Sequence, residues 1–506
     1  MRSTHFLVAV TAGCALAAAA WLNVAPAATP GDTSIIASQL PDMGTPADST
    51  ITKSEEYQIG RMIVRGLRDS NEVLEDPELS DYVQHLGSKL ASQTRADLST
   101  YQYFIVRDSA INAFALPGGF IGVNAGLMLL TENESELASV MAHETAHVRQ
   151  RHIARAAQAQ AHASLASTAA MLAAILIGAA AGGDSQAMMG GIALGQGIAL
   201  QKSVNFTRSE EAEADRVGIG YLADAGFNTA AMPAFFEAMQ RREGASDNGP
   251  LELLRSHPVT SERIAETRSR AQQYSRNAVT ESELFPWMRE RLRVVSAAES
   301  TDMRVYYARL RERRALSDAE RFGEATAQLR RDAATDAVVT LRQLLAAHGN
   351  ITALYGALGT ALQQSGQGSE ALQLFDRSLK LFPRNVPITV RYAEALLKLG
   401  KAKQAHELLL DLFNNVAPTP DQIKLTALAA SAAGDAGDAY YYVAEYHVSG
   451  GDLALANSQL ELALAAPDLT TVQRKRFRAR QEEIRDWIRE EQLLNPRSRG
   501  TSGGDN

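Results

Sequence analysis

The chain has 506 residues, 45% of them hydrophobic, and its 50 Lys and Arg against 58 Asp and Glu give a formal charge of −8. That length implies two to four domains, and the composition is that of a folded, soluble protein rather than a disordered one. No basic patch accompanies the acidic balance, which sets nucleic acid aside as a partner.

Arg2 followed by the uncharged apolar run Phe6 to Trp21 and the small residues Ala25-Pro26-Ala27 predicts a cleavable signal peptide over residues 1–27. The run is too short to span a bilayer comfortably. Cleavage would remove Cys14, the single cysteine, and leave no thiol to oxidise in an exported compartment. Thr11-Ala12-Gly13-Cys14 loosely resembles a lipoprotein box, but the apolar run continues past Cys14 and position 11 is Thr, so a lipoprotein is the weaker reading. Residues 28–53, rich in Pro, Ser, Thr, Asp and Gly without periodicity, read as a flexible leader.

Apolar residues at helical spacing follow in Tyr57 to Leu67 and Leu79 to Leu90. Tyr101 to Val106 is aromatic and β-branched, a strand pattern, and Asn112 to Asn124 folds about Pro117-Gly118-Gly119 as a hairpin. An open strand edge there would pair with an extended peptide, and Phe120, Ile121, Gly122 and Val123 are the expected substrate-binding residues.

Thr131-Glu132-Asn133-Glu134 has the spacing of a capping box and predicts the start of a helix whose Leu137, Val140, Met141 and Val148 face the core. That helix carries His143-Glu144-Thr145-Ala146-His147. Residues i and i+4 lie one above the other, so the two imidazoles point at one spot, as two zinc ligands do. Glu144 is offset around the helix and can reach a water at the metal without ligating it. His152 falls a turn and a residue beyond His147, off the ligand face on a continuous helix, and reads as structural.

Residues 156–183 carry no charge, yet the stretch is Ala-rich, broken by Gly182-Gly183 and without a basic anchor at its far end. A buried or lid-like helical hairpin is expected, with at most peripheral membrane contact, and the glycine-rich Met188 to Gly197 suits a mobile gate. Arg208-Ser209-Glu210-Glu211-Ala212-Glu213-Ala214-Asp215 then supplies carboxylates. A two-histidine catalytic site needs a third protein ligand and an open fourth position. Glu211 and Asp215 share a helix face, so Glu211 would bind the metal and Asp215 would accept the other ring N–H of a liganding histidine. Glu210 and Glu213 are expected on the surface.

In the C-terminal half, Gly366, Gly400 and Gly434 recur every 34 residues, as do Ala371 and Ala405. That is the period of a helix–turn–helix repeat, and three or four such units stack into a curved, protein-binding surface. Gly451 falls half a period late, where the array becomes irregular. The expected domains are 1–27 signal peptide, 28–53 leader, 54–290 metallopeptidase, 291–325 helical linker, 326–495 tetratricopeptide repeats and 496–506 disordered tail.

His-Glu-Thr-Ala-His, the Leu116-Pro117-Gly118-Gly119 hairpin, Arg208-x-x-Glu211-x-x-Ala214-Asp215 and Ser256-His257-Pro258 followed by Arg263 together resemble the zinc peptidases that include the prenyl-protein and HtpX-type membrane proteases. With the export signal and helical repeats, the chain is similar to the periplasmic β-barrel assembly-enhancing group of that family. The resemblance implies a mainly α fold: a gluzincin-type HExxH metallopeptidase domain with a small β-hairpin or sheet, then an α-solenoid. It implies one zinc ion per chain held by His143, His147 and Glu211, Glu144 as acid/base, and a catalytic part for Asp215 and His257. His257 would stabilise the oxyanion or occupy the fourth zinc position and silence the site. The implied partners are misfolded or stalled outer-membrane β-barrel proteins and, through the repeats, the barrel-assembly machinery. A non-proteolytic periplasmic holdase with a structural or self-inhibited zinc is the alternative.

Overall fold

The computed structural model describes residues 51–94, 101–161, 206–244, 251–274 and 281–494. The expected signal peptide, nearly all of the leader, the apolar stretch beyond residue 161, the glycine-rich 188–197 and the tail from 496 lie outside them.

Helix α1 (Lys53–Asp69) starts at a capping box in which Thr52 accepts from the Glu55 N–H and the Glu55 carboxylate accepts from Thr52. It buries Ile59, Ile63, Val64 and Leu67, the apolar stripe read from the sequence. Helix α2 (Pro77–Ala91) starts with Asp76 as N-cap and Pro77 in its first turn. The sheet follows: β1 (Gln102–Val106), β2 (Ala113–Leu116) and β3 (Phe120–Asn124), in spatial order β1-β3-β2. The pair β2–β3 is the antiparallel hairpin expected around Pro117-Gly118-Gly119, and β1 joins β3 in parallel. The outer side of β1 is bridged by Val73 and Leu74.

This order corrects one expectation. Phe120, Ile121, Gly122 and Val123 lie on the middle strand, with backbone groups paired on both sides. The side chains of Phe120, Ile121 and Val123 are buried, so this segment has no edge to offer a peptide. The hairpin strand without a second partner among the described residues is β2. The Pro117-Gly118-Gly119 turn identified the strands on either side of it but could not reveal that β1, outside the hairpin, pairs with the second of them.

A short helix α3 (Ala125–Leu130) leads to the motif helix α4 (Glu134–Arg149), which packs across β2 and β3. Its N-cap is Asn133, whose side chain accepts from the Glu136 N–H, rather than Thr131. Glu134 instead accepts from the Tyr82 hydroxyl of α2 at 2.8 Å, which is why the Thr131–Glu134 box does not form. Then come α5 (His152–Ala161), α6 (Arg208–Asp224), α7 (Ala231–Gly244), α8 (Glu252–Ser256), α9 (Ser261–Gln273), α10 (Phe285–Val295) and α11 (Met303–Arg313). Helix α6 packs along α4. Gly218 makes this close approach possible: a Cβ there would lie 3.1 Å from the backbone of Ala142 and His143.

The helices that follow are α12 (Asp318–Leu329), α13 (Ala334–Ala347), α14 (Thr352–Gln364), α15 (Gly368–Leu381), α16 (Val386–Lys398), α17 (Ala402–Phe413), α18 (Pro420–Ala432), α19 (Ala436–Ser449), α20 (Leu453–Ala465) and α21 (Thr471–Leu494). Gly366, Gly400 and Gly434 each follow a helix with φ of 80°, 72° and 83°, the left-handed conformation that ends a helix and favours glycine. Ala371 and Ala405 are fully buried where small residues were expected. One buried apolar cluster runs from Leu74 in the peptidase region to Ala395 on α16, so the first repeats share the peptidase core. Among the described residues, no helix is long and apolar enough to cross a membrane.

Candidate metal centre

Helices α4 and α6 and the segment after α8 bring four side chains together. One donor atom from each of His143, His147, Glu211 and His257 lies within 4.8 Å of the other three, and all four residues are buried. His143 and His147 stack one turn apart on α4 with their Nε2 atoms 3.0 Å from each other. Glu211 reaches in from α6, its Oε1 3.5 Å from His147 Nε2 and its Oε2 3.5 Å from His143 Nε2. His257 caps the C-terminus of α8 ahead of Pro258 and places Nδ1 2.8 Å from Glu211 Oε1 and 3.3 Å from His143 Nε2. The N–H of Leu253, on the same short helix, donates to the Ile111 carbonyl just before β2.

The groups behind this cluster are as ordered as the cluster itself. His143 Nδ1 lies 3.0 Å from Asp215 Oδ1, a carboxylate placed to favour the tautomer with Nε2 facing inward. Arg263 on α9 meets Asp215 with two parallel contacts of 2.7 and 2.8 Å, pairs with Glu211 at 2.7 Å and donates to the Pro258 carbonyl at 2.8 Å. One guanidinium therefore braces the α6 carboxylates and the His257 segment together. The sequence motif contained Arg263, but nothing in its spacing disclosed that task. Phe206 covers the rings, 4.1 Å from the centroid of His147 and 5.4 Å from that of His257.

Of the two residues expected at the surface, neither lies free there. Glu210 is the buried reciprocal cap of Thr207, and Glu213 pairs with Arg155 at 2.9 Å and with His152 at 3.2 Å.

The charges fit a cation. Burial alone would keep His143 neutral, but the Asp215 and Glu211 carboxylates outweigh it and push its pKa up to about 10. Burial and the neighbouring His143 and His257 rings push His147 well below the ordinary histidine range, against the pull of Glu211. Glu211 is held well below the usual carboxylate range, because the three imidazoles outweigh its burial. The cluster thus accommodates one added positive charge, and two Nε2 atoms facing each other at 3.0 Å are best served by sharing it. Two imidazoles and a carboxylate form a set of donors that could hold a divalent metal.

Beside this set sits Glu144, fully buried, and among the described residues neither of its carboxylate oxygens has a hydrogen-bond partner. Its Oε1 is 3.5 Å from His257 Nε2. A buried carboxylate without partners is costly unless a ligand completes it. In a second trio, His406, Asp435 and Asp438, the two carboxylates are already engaged by Arg476 and Gln473, and His406 lies 3.3 Å from Asp438.

Comparison with known proteins agrees with this geometry. Residues 77–271 match the model of peptidase family M48, and residues 362–429 match a tetratricopeptide repeat. The beta-barrel assembly-enhancing protease of Escherichia coli strain K12 is 32% identical over 456 residues, covering 89% of this chain and 92% of that protein. A Vibrio cholerae relative is 42% identical over 236 residues, which is 47% of this chain and 48% of its own length. The mitochondrial metalloendopeptidase OMA1 of Schizosaccharomyces pombe is 30% identical over 183 residues, 36% of this chain and 50% of that one. The E. coli match, at 32% identity along 92% of that protein, spans both the peptidase region and the repeats of this chain, and the chain accordingly belongs to the beta-barrel assembly-enhancing protease family, as a metalloendopeptidase of peptidase family M48.

Proposed function

We propose that this chain is an exported, periplasmic zinc endopeptidase that acts on outer-membrane β-barrel proteins stalled or misfolded during assembly, and that handles such clients in a chaperone-like way. The observation that carries the reading is the buried convergence of His143, His147 and Glu211 beside a carboxylate, Glu144, with no hydrogen-bond partner among the described residues.

Zinc is the metal because two imidazoles, one carboxylate and one further position make its catalytic donor set. When bound, it supplies Lewis acidity toward a water and toward the scissile carbonyl. His143, His147 and Glu211 hold it, and Asp215 orients His143. Glu144 takes the proton from the attacking water and returns it to the leaving amine. His257 would close the remaining position in the resting site, a reading supported by its Nδ1 lying 2.8 Å from Glu211 Oε1 and 3.3 Å from His143 Nε2. Turnover then requires the α8 segment to withdraw, and the contact of Leu253 with Ile111 places that segment against the lead-in to β2. An extended client adds to β2 rather than to β3, since β2 has one side unpaired among the described residues. Polypeptides with unpaired strands are the clients such an edge recognises. The repeats dock the protease on the barrel-assembly machinery, a role supported by the general use of such arrays and by the name of the E. coli relative. The zinc-loaded protein should cleave a urea-unfolded outer-membrane β-barrel protein and spare the same protein once folded in detergent. Failure to cleave any unfolded barrel would remove the client assignment.

A further inference from the structure

The two histidines of the motif are not supported alike. His143 leans on a carboxylate, Asp215. His147 leans on another histidine: its Nδ1 is 2.9 Å from His152 Nδ1. A continuous helix would have carried His152 away. Instead α4 ends at Arg149, and Arg151 turns into the left-handed region at φ 53°. Arg151 is held there by the Glu56 carboxylate at 3.0 Å and the Ile51 carbonyl at 2.8 Å. That reversal returns His152 to the back of His147, where it is fully buried.

The partners assign the ring protons. His147 Nε2 faces the metal-binding cluster, so its proton is on Nδ1 and is donated to His152 Nδ1. His152 must then carry its own proton on Nε2, which faces Glu213 Oε2 at 3.2 Å, and Arg155 Nη1 holds the same oxygen at 2.9 Å. His147 thus donates to His152 and His152 to Glu213, whose carboxylate also accepts from Arg155 in a partly exposed ion pair.

We propose that His152 is a positioning residue for the metal, holding His147 in the Nε2-facing tautomer and passing the polarisation of Glu213 to it. The proposal rests on the reading of His143, His147 and Glu211 as metal ligands. Its consequence is that metal affinity, and not only catalysis, depends on a side chain that never touches the metal.

The test is chelator-competition titration of zinc with the full-length protein, together with the visible spectrum of the cobalt-substituted form. His152→Ala should weaken zinc binding about 10- to 100-fold and shift the cobalt bands. His152→Gln presents a carbonyl to His147 and an amide N–H to Glu213, and should recover most of the affinity. Glu213→Ala alters a partly exposed side chain, leaves folding intact and should weaken binding by a smaller factor. Combined with His152→Ala it should add nothing, because Glu213 acts only through His152. A merely structural His152 would lower the melting temperature of the metal-free protein without moving the cobalt spectrum. Wild-type affinity and spectrum in His152→Ala overturn the proposal, as does unchanged affinity in Glu213→Ala should His152→Ala fail to fold. A wild type that binds no zinc overturns the metal reading itself, a result distinct from either.

Discussion

Arg391→Met tests how the repeats are held on the peptidase. Arg391 lies on α16, a repeat helix, yet its guanidinium reaches Glu78 on α2 at 2.7 and 3.0 Å and Asp76 at 3.3 Å. Arg291 on α10 meets the same two carboxylates at 2.7 to 2.9 Å. Two arginines and two buried carboxylates therefore meet in one cluster joining α2, α10 and α16, with Glu394 as a more exposed third carboxylate at Arg391. Methionine keeps much of the arginine volume but leaves Asp76 and Glu78 sharing one arginine. Breaking a buried pair on one side costs about 3–5 kcal/mol. Because the Arg391 side chain keeps 16% of its exposure and Glu394 also shares it, the lower end, about 3 kcal/mol, is expected. Trp287 sits at this junction, edge-on to Phe322 and His348, and its fluorescence reports the transition in urea. Adding Glu78→Gln to Arg391→Met removes the surplus negative charge and should recover part of the loss. A loss below about 1 kcal/mol, the range of exposed pairs, would refute the lock, as would a double variant weaker by the full sum of its parts.

Gly118→Ala forces a side chain into the left-handed region at φ 79° and against the backbone of Tyr57 on α1, so it should cost about 2–5 kcal/mol by thermal melting. Gly366→Ala, at φ 80° with open space around it, should cost only about 1–2 kcal/mol, and equal losses would contradict the packing argument. Acid should loosen the junction. Burial would raise Asp76, but Arg291 and Arg391 hold it well below the usual carboxylate range. A carboxyl depressed in the folded state stabilises fully above its unfolded value of about 3.9 and ceases to as pH falls toward the folded one. Stability measured against pH should therefore fall below about pH 4, and Asp76→Asn should flatten that dependence. A slope unchanged in Asp76→Asn would assign the acid sensitivity elsewhere.

What could be read from the sequence was whatever local spacing encodes. Two histidines four apart on a helix had to face one point, and Glu211 with Asp215 had to share a second face. Glycines 34 residues apart had to end helices, and they do so with positive φ. What stayed hidden depended on partners far away in the chain or on a local break in regularity. The parallel pairing of β1 with β3 leaves β2, and not Phe120–Val123, with a side unpaired among the described residues. A left-handed Arg151, a residue type that gives no warning of it, brought His152 back to the site. Arg263 and Arg391 act on carboxylates 48 and 313 residues away, a relation no periodicity carries.

The central claim is that Glu144 performs proton transfer beside a zinc held by His143, His147 and Glu211. Its most direct test is zinc content and client cleavage measured together on the wild type and Glu144→Gln. Both proteins should bind one zinc per chain, while cleavage by the variant falls by about 10²- to 10⁴-fold, the range for loss of general acid–base catalysis. Equal cleavage by the two proteins, or zinc absent from both, would contradict it.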